Sequence, residues 1–145
     1  MVLVAGVFDV IHAGHIELFR TIREYACCVG EELCVGVNSD RRAIEIKDNL
    51  CFCLDERMSV LNAIDMIDTV YSFDEDTPAE LIKVLKPRVY VKGGDYIADE
   101  LPEKEACDEV GAEIYIIPIT EIDGRKVSSS VIKSGGSYVQ WRNLR

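Results

Sequence analysis

The chain has 145 residues, 48% of them hydrophobic, enough for one domain around a single core and short for two. Lys and Arg number 16 against 26 Asp and Glu, and the resulting net charge of −10 argues against general binding to nucleic acid or to an anionic membrane, since both need a basic face. No stretch approaches the roughly 20 apolar residues of a membrane helix, and the first residues carry neither a basic leader nor a long apolar run, so a cytoplasmic protein is expected.

The first apolar run, Val2-Leu3-Val4-Ala5-Gly6-Val7, reads as a buried parallel strand, and the helix after it repeats Ile16, Phe19, Ile22, Arg23 and Ala26 at helical spacing. Glu32 to Val37 is a second strand ending at Asn38-Ser39-Asp40, and a polar, irregular loop is expected from there through Lys47 to about Leu54. Asp55 is read as the N-cap of a helix carrying Met58, Leu61 and Ile64. Thr69 to Phe73 forms a third strand; Thr77 then caps a helix that Pro78 opens, with Leu81, Ile82 and Leu85 turned inward. Arg88 to Val91 is a fourth strand, a short helix covers Pro102 to Val110, and Ala112 to Ile117 is a fifth strand. Ser128 to Ser130 start a last short helix, and Ser134-Gly135-Gly136-Ser137 reads as a joint, so a domain over residues 1–134 and a tail over 135–145 are expected.

This alternation predicts an α/β protein, a Rossmann-like open parallel five-stranded sheet with helices on both faces, because each parallel return needs a right-handed crossover. Ligands of such sheets bind beyond the carboxyl ends of the strands. The polar motifs fall there: Asp9 to His15 after the first strand, Asn38 to Asp40 after the second, Lys92 to Tyr96 after the fourth, Thr120 to Ser130 after the fifth.

The six cysteines, Cys27, Cys28, Cys34, Cys51, Cys53 and Cys107, form no C-x-x-C pair, which fits neither a zinc ribbon nor a secreted disulfide framework. They read as buried thiols in a reducing compartment. A redox pair at Cys51-Phe52-Cys53 is the alternative.

His12 and His15 are the chain's two histidines, and at a helix start they lie on one face, where both imidazoles can point at one phosphate. Gly14 lets a ligand approach the backbone, and the helix N-terminus is expected to offer free N–H donors to an anion. The alternatives are ordinary structural histidines or a metal fragment, although no third and fourth ligand accompanies the pair. Lys92-Gly93-Gly94-Asp95-Tyr96 offers two glycines for close approach to a flat base and Asp95 as acceptor; by itself it is equally an ordinary turn. Ser128, Ser129 and Ser130 with Arg125 and Lys126 suit β- and γ-phosphates, against the plainer reading of one serine cap.

Gly6-Val7-Phe8-Asp9-Val10-Ile11-His12-Ala13-Gly14-His15, taken with Val127-Ser128-Ser129-Ser130, resembles the paired signatures of the cytidylyltransferase-like nucleotidyltransferases, and the likeness runs from Val4 to about Lys133. The resemblance implies attack by an acceptor phosphate on the α-phosphate of a nucleoside triphosphate, with His12, His15 and Lys47 as catalytic residues. It implies nucleotide contacts at Val7, Phe8, Asp9, Gly14, Lys92, Gly94, Asp95, Arg125, Val127, Ser128, Ser129 and Ser130, and acceptor-phosphate contacts at Asn38 and Arg57. From the residues alone, Lys47 is equally a solvated lysine and Arg57 a partner in an intrahelical pair. Relatives often carry a second lysine where this chain has Ile44, a departure for which Arg41 or Arg42 can compensate, and some carry an arginine where this chain has Ile119.

Val37-Asn38-Ser39-Asp40, Glu56-Arg57-Met58, Phe73 to Pro78 and Val91 to Tyr96 resemble most the branch that joins heptose 1-phosphate to ATP in ADP-heptose synthesis. ATP and a phosphorylated small-molecule acceptor are the implied partners, with Mg²⁺ carried mainly by triphosphate oxygens, Asp9 assisting through water, and no resident metal site. A homodimer is implied, and a stand-alone transferase is expected because no segment resembles the sugar-kinase domain fused in some relatives. A CTP-dependent glycerol-3-phosphate transferase is the alternative within the family, and a nucleotide-binding sensor without turnover the alternative outside enzymes.

Overall fold

The computed structural model describes residues 1–118, 121, 122, 125, 126 and 133, the residues from 121 to 126 by their backbone alone. Five parallel strands, β1 (Val2–Gly6), β2 (Leu33–Asn38), β3 (Thr69–Phe73), β4 (Val89–Gly93) and β5 (Glu113–Ile117), form one sheet in the order β3-β2-β1-β4-β5. β1 is central, Val4 lying opposite Val35 on one side and Val91 on the other. The strand order reverses between β1 and β4, which places a crevice at their carboxyl ends. A short antiparallel pair, β6 (Glu121–Ile122) and β7 (Arg125–Lys126), was not anticipated from so brief a polar stretch.

Side-chain alternation divides the core between the two faces of this sheet. Val2 and Val4 of β1, Leu33, Val35 and Val37 of β2, and Val89 and Val91 of β4 pack with Phe19, Ile22 and Ala26 of helix α1 (Ala13–Val29), and with Leu61 of helix α3 (Leu54–Asn62). Leu3, Cys34 and Tyr90 point the other way, toward Ile82 of helix α4 (Ala79–Leu85) and Ala106 and Cys107 of helix α5 (Lys104–Val110). Each buried Leu, Ile or Phe contributes about 1.5–3 kcal/mol, so both helical layers are held by the apolar runs that marked the strands.

Several local expectations are corrected. The stretch after β2 is not an irregular loop: helix α2 (Asp40–Ile46) follows at once, with the Ser39 hydroxyl accepting from the Arg42 N–H at 3.2 Å. Its apolar face is a single buried Ala43, while Ile44 and Ile46 stay exposed, so no helical period was visible. α3 begins at Leu54 rather than after an Asp55 cap; Cys53 is its N-cap, and Glu56 reaches back to the Cys53 N–H at 3.0 Å. Pro78 is the N-cap of α4 rather than its first residue, one position from the expected start. β4 runs through Lys92 and Gly93, so these two residues lie in the strand and not beyond it. Among the cysteines, Cys34 and Cys107 are buried as expected, burial pushing the Cys107 thiol up to about 11, but Cys27, Cys28, Cys51 and Cys53 are exposed. The proposed start of a last helix at Ser128 to Ser130, and the tail over 135–145, lie outside the described residues. No helix among the described residues is long and apolar enough to cross a membrane.

Candidate active site

The crevice at the carboxyl ends of β1 and β4 is a cleft of about 660 Å³. Its centre is the turn from β1 into α1. Phe8 adopts a left-handed backbone (φ 48°), an uncommon conformation for a bulky residue and a cost of about 1–3 kcal/mol that the surrounding contacts hold in place. Its ring sits edge-on to His15 with 5.5 Å between centroids, and a Cβ at Gly6 would lie 3.2 Å from it. Gly6 is therefore the residue that admits the aromatic ring at the strand end.

The two histidines cap the helix themselves. Nδ1 of His12 accepts from the Gly14 N–H at 3.1 Å, and Nδ1 of His15 accepts from the His12 N–H at 3.3 Å. The rings stack, 3.9 Å between centroids and 29° between planes. A neutral imidazole whose Nδ1 accepts carries its hydrogen on Nε2, so the caps orient two parallel Nε2–H donors. Burial holds His12 below the usual histidine range; burial first, then His12 and Lys47, hold His15 down at about 3. Both are neutral donors near pH 7, suited to an anion without being cations themselves. One expectation fails here: the N–H of Gly14 goes to His12, and those of His15 and Ile16 go to the His12 carbonyl, so the start of α1 does not present them to a ligand.

Of the residues that the resemblance implied, Val7, Phe8, Asp9, Gly14, Asn38, Lys47 and Lys92 line this cleft beside His12 and His15. Lys47 is exposed and forms the C-cap of α2, its N–H donating to the Ala43 carbonyl at 2.8 Å, so the helix that replaces the expected loop is what aims this cation. Of the two arginines considered as compensation for Ile44, Arg42 reaches the cleft while pairing with Glu45 at 2.9 Å; Arg41 is occupied by Asp74 and Glu45 and lies outside it.

Asp9 is tied to residues remote in the chain. Its carboxylate accepts from the N–H groups of Cys51 (2.8 Å) and Phe52 (2.9 Å) and from the Lys133 ammonium. Burial alone would raise its pKa, but the bonds from Lys133, Cys51 and Phe52 outweigh it and hold the carboxyl below the usual range. Asp9 thus ties the segment between α2 and α3 to the turn from β1 into α1. Lys133, which also donates to the Asn49 carbonyl, escaped the sequence reading because a lysine after a serine-rich segment carries no signal of its target.

Arg57 is a plain correction. It is 1% exposed, and its guanidinium donates to the carbonyls of Phe52 (3.1 Å), Val7 (2.8 Å) and Asn38 (2.9 Å) and to the Asp40 carboxylate (2.8 Å). The fork joins the ends of β1 and β2 to α2 through four of its five N–H donors, and Arg57 is not among the residues that line the cleft.

On the β4 side, the Lys92 ammonium lies 3.0 Å from Glu103 Oε1 and 5.3 Å from the Tyr96 ring centroid. Gly94 has φ 133°, and a Cβ there would come 2.7 Å from the Tyr96 ring, so its conformational freedom serves the turn under Tyr96. Gly94 and Asp95 do not line the cleft, whereas Gly93, Tyr90, Tyr96 and Glu103 do. Glu103 was missed because Glu100, Glu103 and Glu105 look alike in sequence, and only packing turns one inward. Arg125 is placed by its backbone in β7; Val127, Ser128, Ser129 and Ser130 lie outside the described residues. Among the described residues no cluster of three or more His, Cys, Asp or Glu side chains forms a metal cage.

With this geometry in view, comparison with known proteins is specific. The profile of the cytidylyltransferase-like family matches residues 3–135. The chain is 36% identical over 140 residues to the "Bifunctional protein HldE" of Geobacter metallireducens, covering 95% of this chain and 27% of that protein. It is 41% identical over 123 residues to the protein of the same name from Koribacter versatilis, covering 83% of this chain and 24% of that one. The chain thus spans about a quarter of the length of these relatives. Among solved structures, the lipopolysaccharide core biosynthesis protein of Thermoplasma volcanium shares the fold, with a TM-score of 0.63 at 23% identity over 84% of this chain and 97% of that one. Sheet order, the histidine-capped turn and these likenesses agree, and the chain belongs to the cytidylyltransferase-like family as a nucleotidyltransferase.

Proposed function

We propose that the chain transfers an adenylyl group from ATP to a sugar 1-phosphate, heptose 1-phosphate, giving an ADP-sugar and pyrophosphate. An oxygen of the acceptor phosphate attacks the α-phosphorus and forms the new P–O bond. The bond from that phosphorus to the α,β-bridging oxygen breaks, and its electron pair leaves with pyrophosphate. No base is needed, because the attacking phosphate is already an anion.

The observation that carries this reading is the pair of fixed, neutral Nε2–H donors at the carboxyl end of β1. Donors held in place before the reaction stabilise charge on the equatorial oxygens without reorganising as it develops. Lys47 adds positive charge on the α2 side of the cleft. Mg²⁺ enters as the ATP complex and supplies charge neutralisation on the triphosphate. The acceptor assignment is supported by the Val37 to Asp40, Glu56 to Met58, Phe73 to Pro78 and Val91 to Tyr96 segments, and by relatives named HldE. The same resemblance extends to a homodimer without nucleic-acid or membrane partners, which sedimentation of the purified chain checks.

The test is pyrophosphate release from ATP and from CTP with heptose 1-phosphate, glycerol 3-phosphate, phosphocholine and FMN as acceptors. Release with ATP and heptose 1-phosphate is expected. Release confined to CTP and glycerol 3-phosphate replaces the acceptor and base; tight nucleotide binding without release under any pairing replaces transfer by sensing.

A further inference from the structure

The cleft wall on the β4 side contains a carboxylate that the transfer chemistry leaves unexplained. Glu103 stands at the start of α5 and is 1% exposed. Its Oε1 accepts from the Lys92 ammonium at 3.0 Å and from the Tyr90 hydroxyl at 3.3 Å. Its Oε2 is buried and has no hydrogen-bond partner among the described residues. Leaving a buried acceptor unmet costs about 1–3 kcal/mol, and more when the group is charged, so such an atom in a cleft wall marks a place where something else donates.

Tyr90, Lys92 and Glu103 all line the cleft, so a bound molecule lies against this wall. The sign of the group decides which part of that molecule. A phosphate offers acceptors and negative charge and is repelled by a carboxylate; donors suited to it line the same cleft at His12, His15 and Lys47. The complement of Oε2 is an N–H or O–H on a part of the substrate that carries no phosphate. Lys92 and Tyr90 both donate to Oε1, and burial, together with Glu103 itself, holds the Tyr90 hydroxyl protonated.

We propose that Glu103 is a specificity-determining residue, its Oε2 accepting a hydrogen bond from an amino or hydroxyl group on the non-phosphate part of the substrate. The proposal rests on the nucleotidyl-transfer reading for the occupant of the cleft. Two sources share this chemistry: the amino group or ribose hydroxyls of the nucleoside, and the hydroxyls of the acceptor.

The experiment measures binding of ATP, purine riboside 5′-triphosphate (ATP without its amino group), 2′-deoxy-ATP and 3′-deoxy-ATP by calorimetry to the full chain and to Glu103→Gln. Thermal unfolding checks that the variant is folded, and the analogue series on the unmodified chain needs no variant. If the nucleoside is the source, one analogue binds the unmodified chain about tenfold to a hundredfold more weakly than ATP, and Glu103→Gln removes most of that difference. If the acceptor is the source, the four nucleotides show no dependence on Glu103, and KM for heptose 1-phosphate rises about tenfold or more in the variant. A uniform change across all four nucleotides reports only the Lys92 ammonium released from its partner, and with no change in acceptor KM it overturns the proposal in favour of a trapped water at Oε2. The nucleotide contrast is a binding measurement, so it stands if no acceptor supports turnover, and the failure of the transfer reading is then seen separately.

Discussion

Arg57 and Glu103 are both buried charged residues beside the same crevice, one on the β2 side and one on the β4 side, and they are finished differently. Arg57 meets three carbonyls and a carboxylate and does not line the cleft. Glu103 meets two donors through one oxygen, and its other oxygen has no partner among the described residues. A buried charge whose bonds close within the chain builds the frame; one with an open valence at a cleft wall is what the proposal above assigns to the substrate. The histidine pair combines both states within each ring, Nδ1 closed on the backbone and Nε2 open.

The sharpest way to break this division is Arg57→Ala. It orphans three carbonyls, near the ends of β1 and β2 and just before α3, so chemical denaturation should show a loss of about 4 kcal/mol, with binding weakened only through instability. A variant of unchanged stability but lost acceptor affinity would move Arg57 into the substrate site. The histidines come next. In His12→Asn the side-chain oxygen keeps the cap on Gly14, because Asn is among the best N-caps, but the Nε2–H donor is gone. Unfolding midpoints should stay within about 0.5 kcal/mol, while turnover falls about 10²–10³-fold. Equal losses in both would reduce His12 to a cap.

Asp9→Asn tests the tie between the turn from β1 into α1 and the segment before α3. It replaces charge-assisted bonds from Cys51, Phe52 and Lys133 by weaker ones, with an expected loss of about 1–2 kcal/mol and faster hydrogen exchange at the Cys51 and Phe52 amides. The response to acid needs no variant. His15 is held at about 3 against an ordinary 6.5, so in that window the unfolded chain binds the extra proton. Stability from this group is complete above 6.5 and declines as pH falls toward 3, with a slope approaching about 1.4 kcal/mol per pH unit. The rate of nucleotidyl transfer should show no histidine inflection near 6.5, since both rings are already neutral there; a rate that follows protonation at 6.5 would make one of them a cation in the reaction.

The sheet and its two helical layers were legible in the sequence because a parallel strand buried on both faces must be a nearly continuous apolar run, and Val2 to Val7 and Glu32 to Val37 show it. Their alternation with helical periods set the class, and the ends of β1, β2 and β4 did receive the polar motifs that line the cleft. α2 was illegible for the complementary reason: seven residues with one buried alanine have no hydrophobic period to read.

What residue type and spacing determined by themselves was the strand-turn-helix carrying His12 and His15, since both the turn and the shared face follow from local geometry. Tertiary structure alone decided which nitrogen of each imidazole stays open, that Arg57 is built into the frame, that Asp9 holds a distant segment, and that Glu103 rather than Glu100 or Glu105 turns inward. The physical reason is that periodicity records which side of an element is buried, whereas the partner that completes a polar group comes from residues remote in the chain, 17 to 50 positions away for Arg57 with Asp40, Asn38 and Val7.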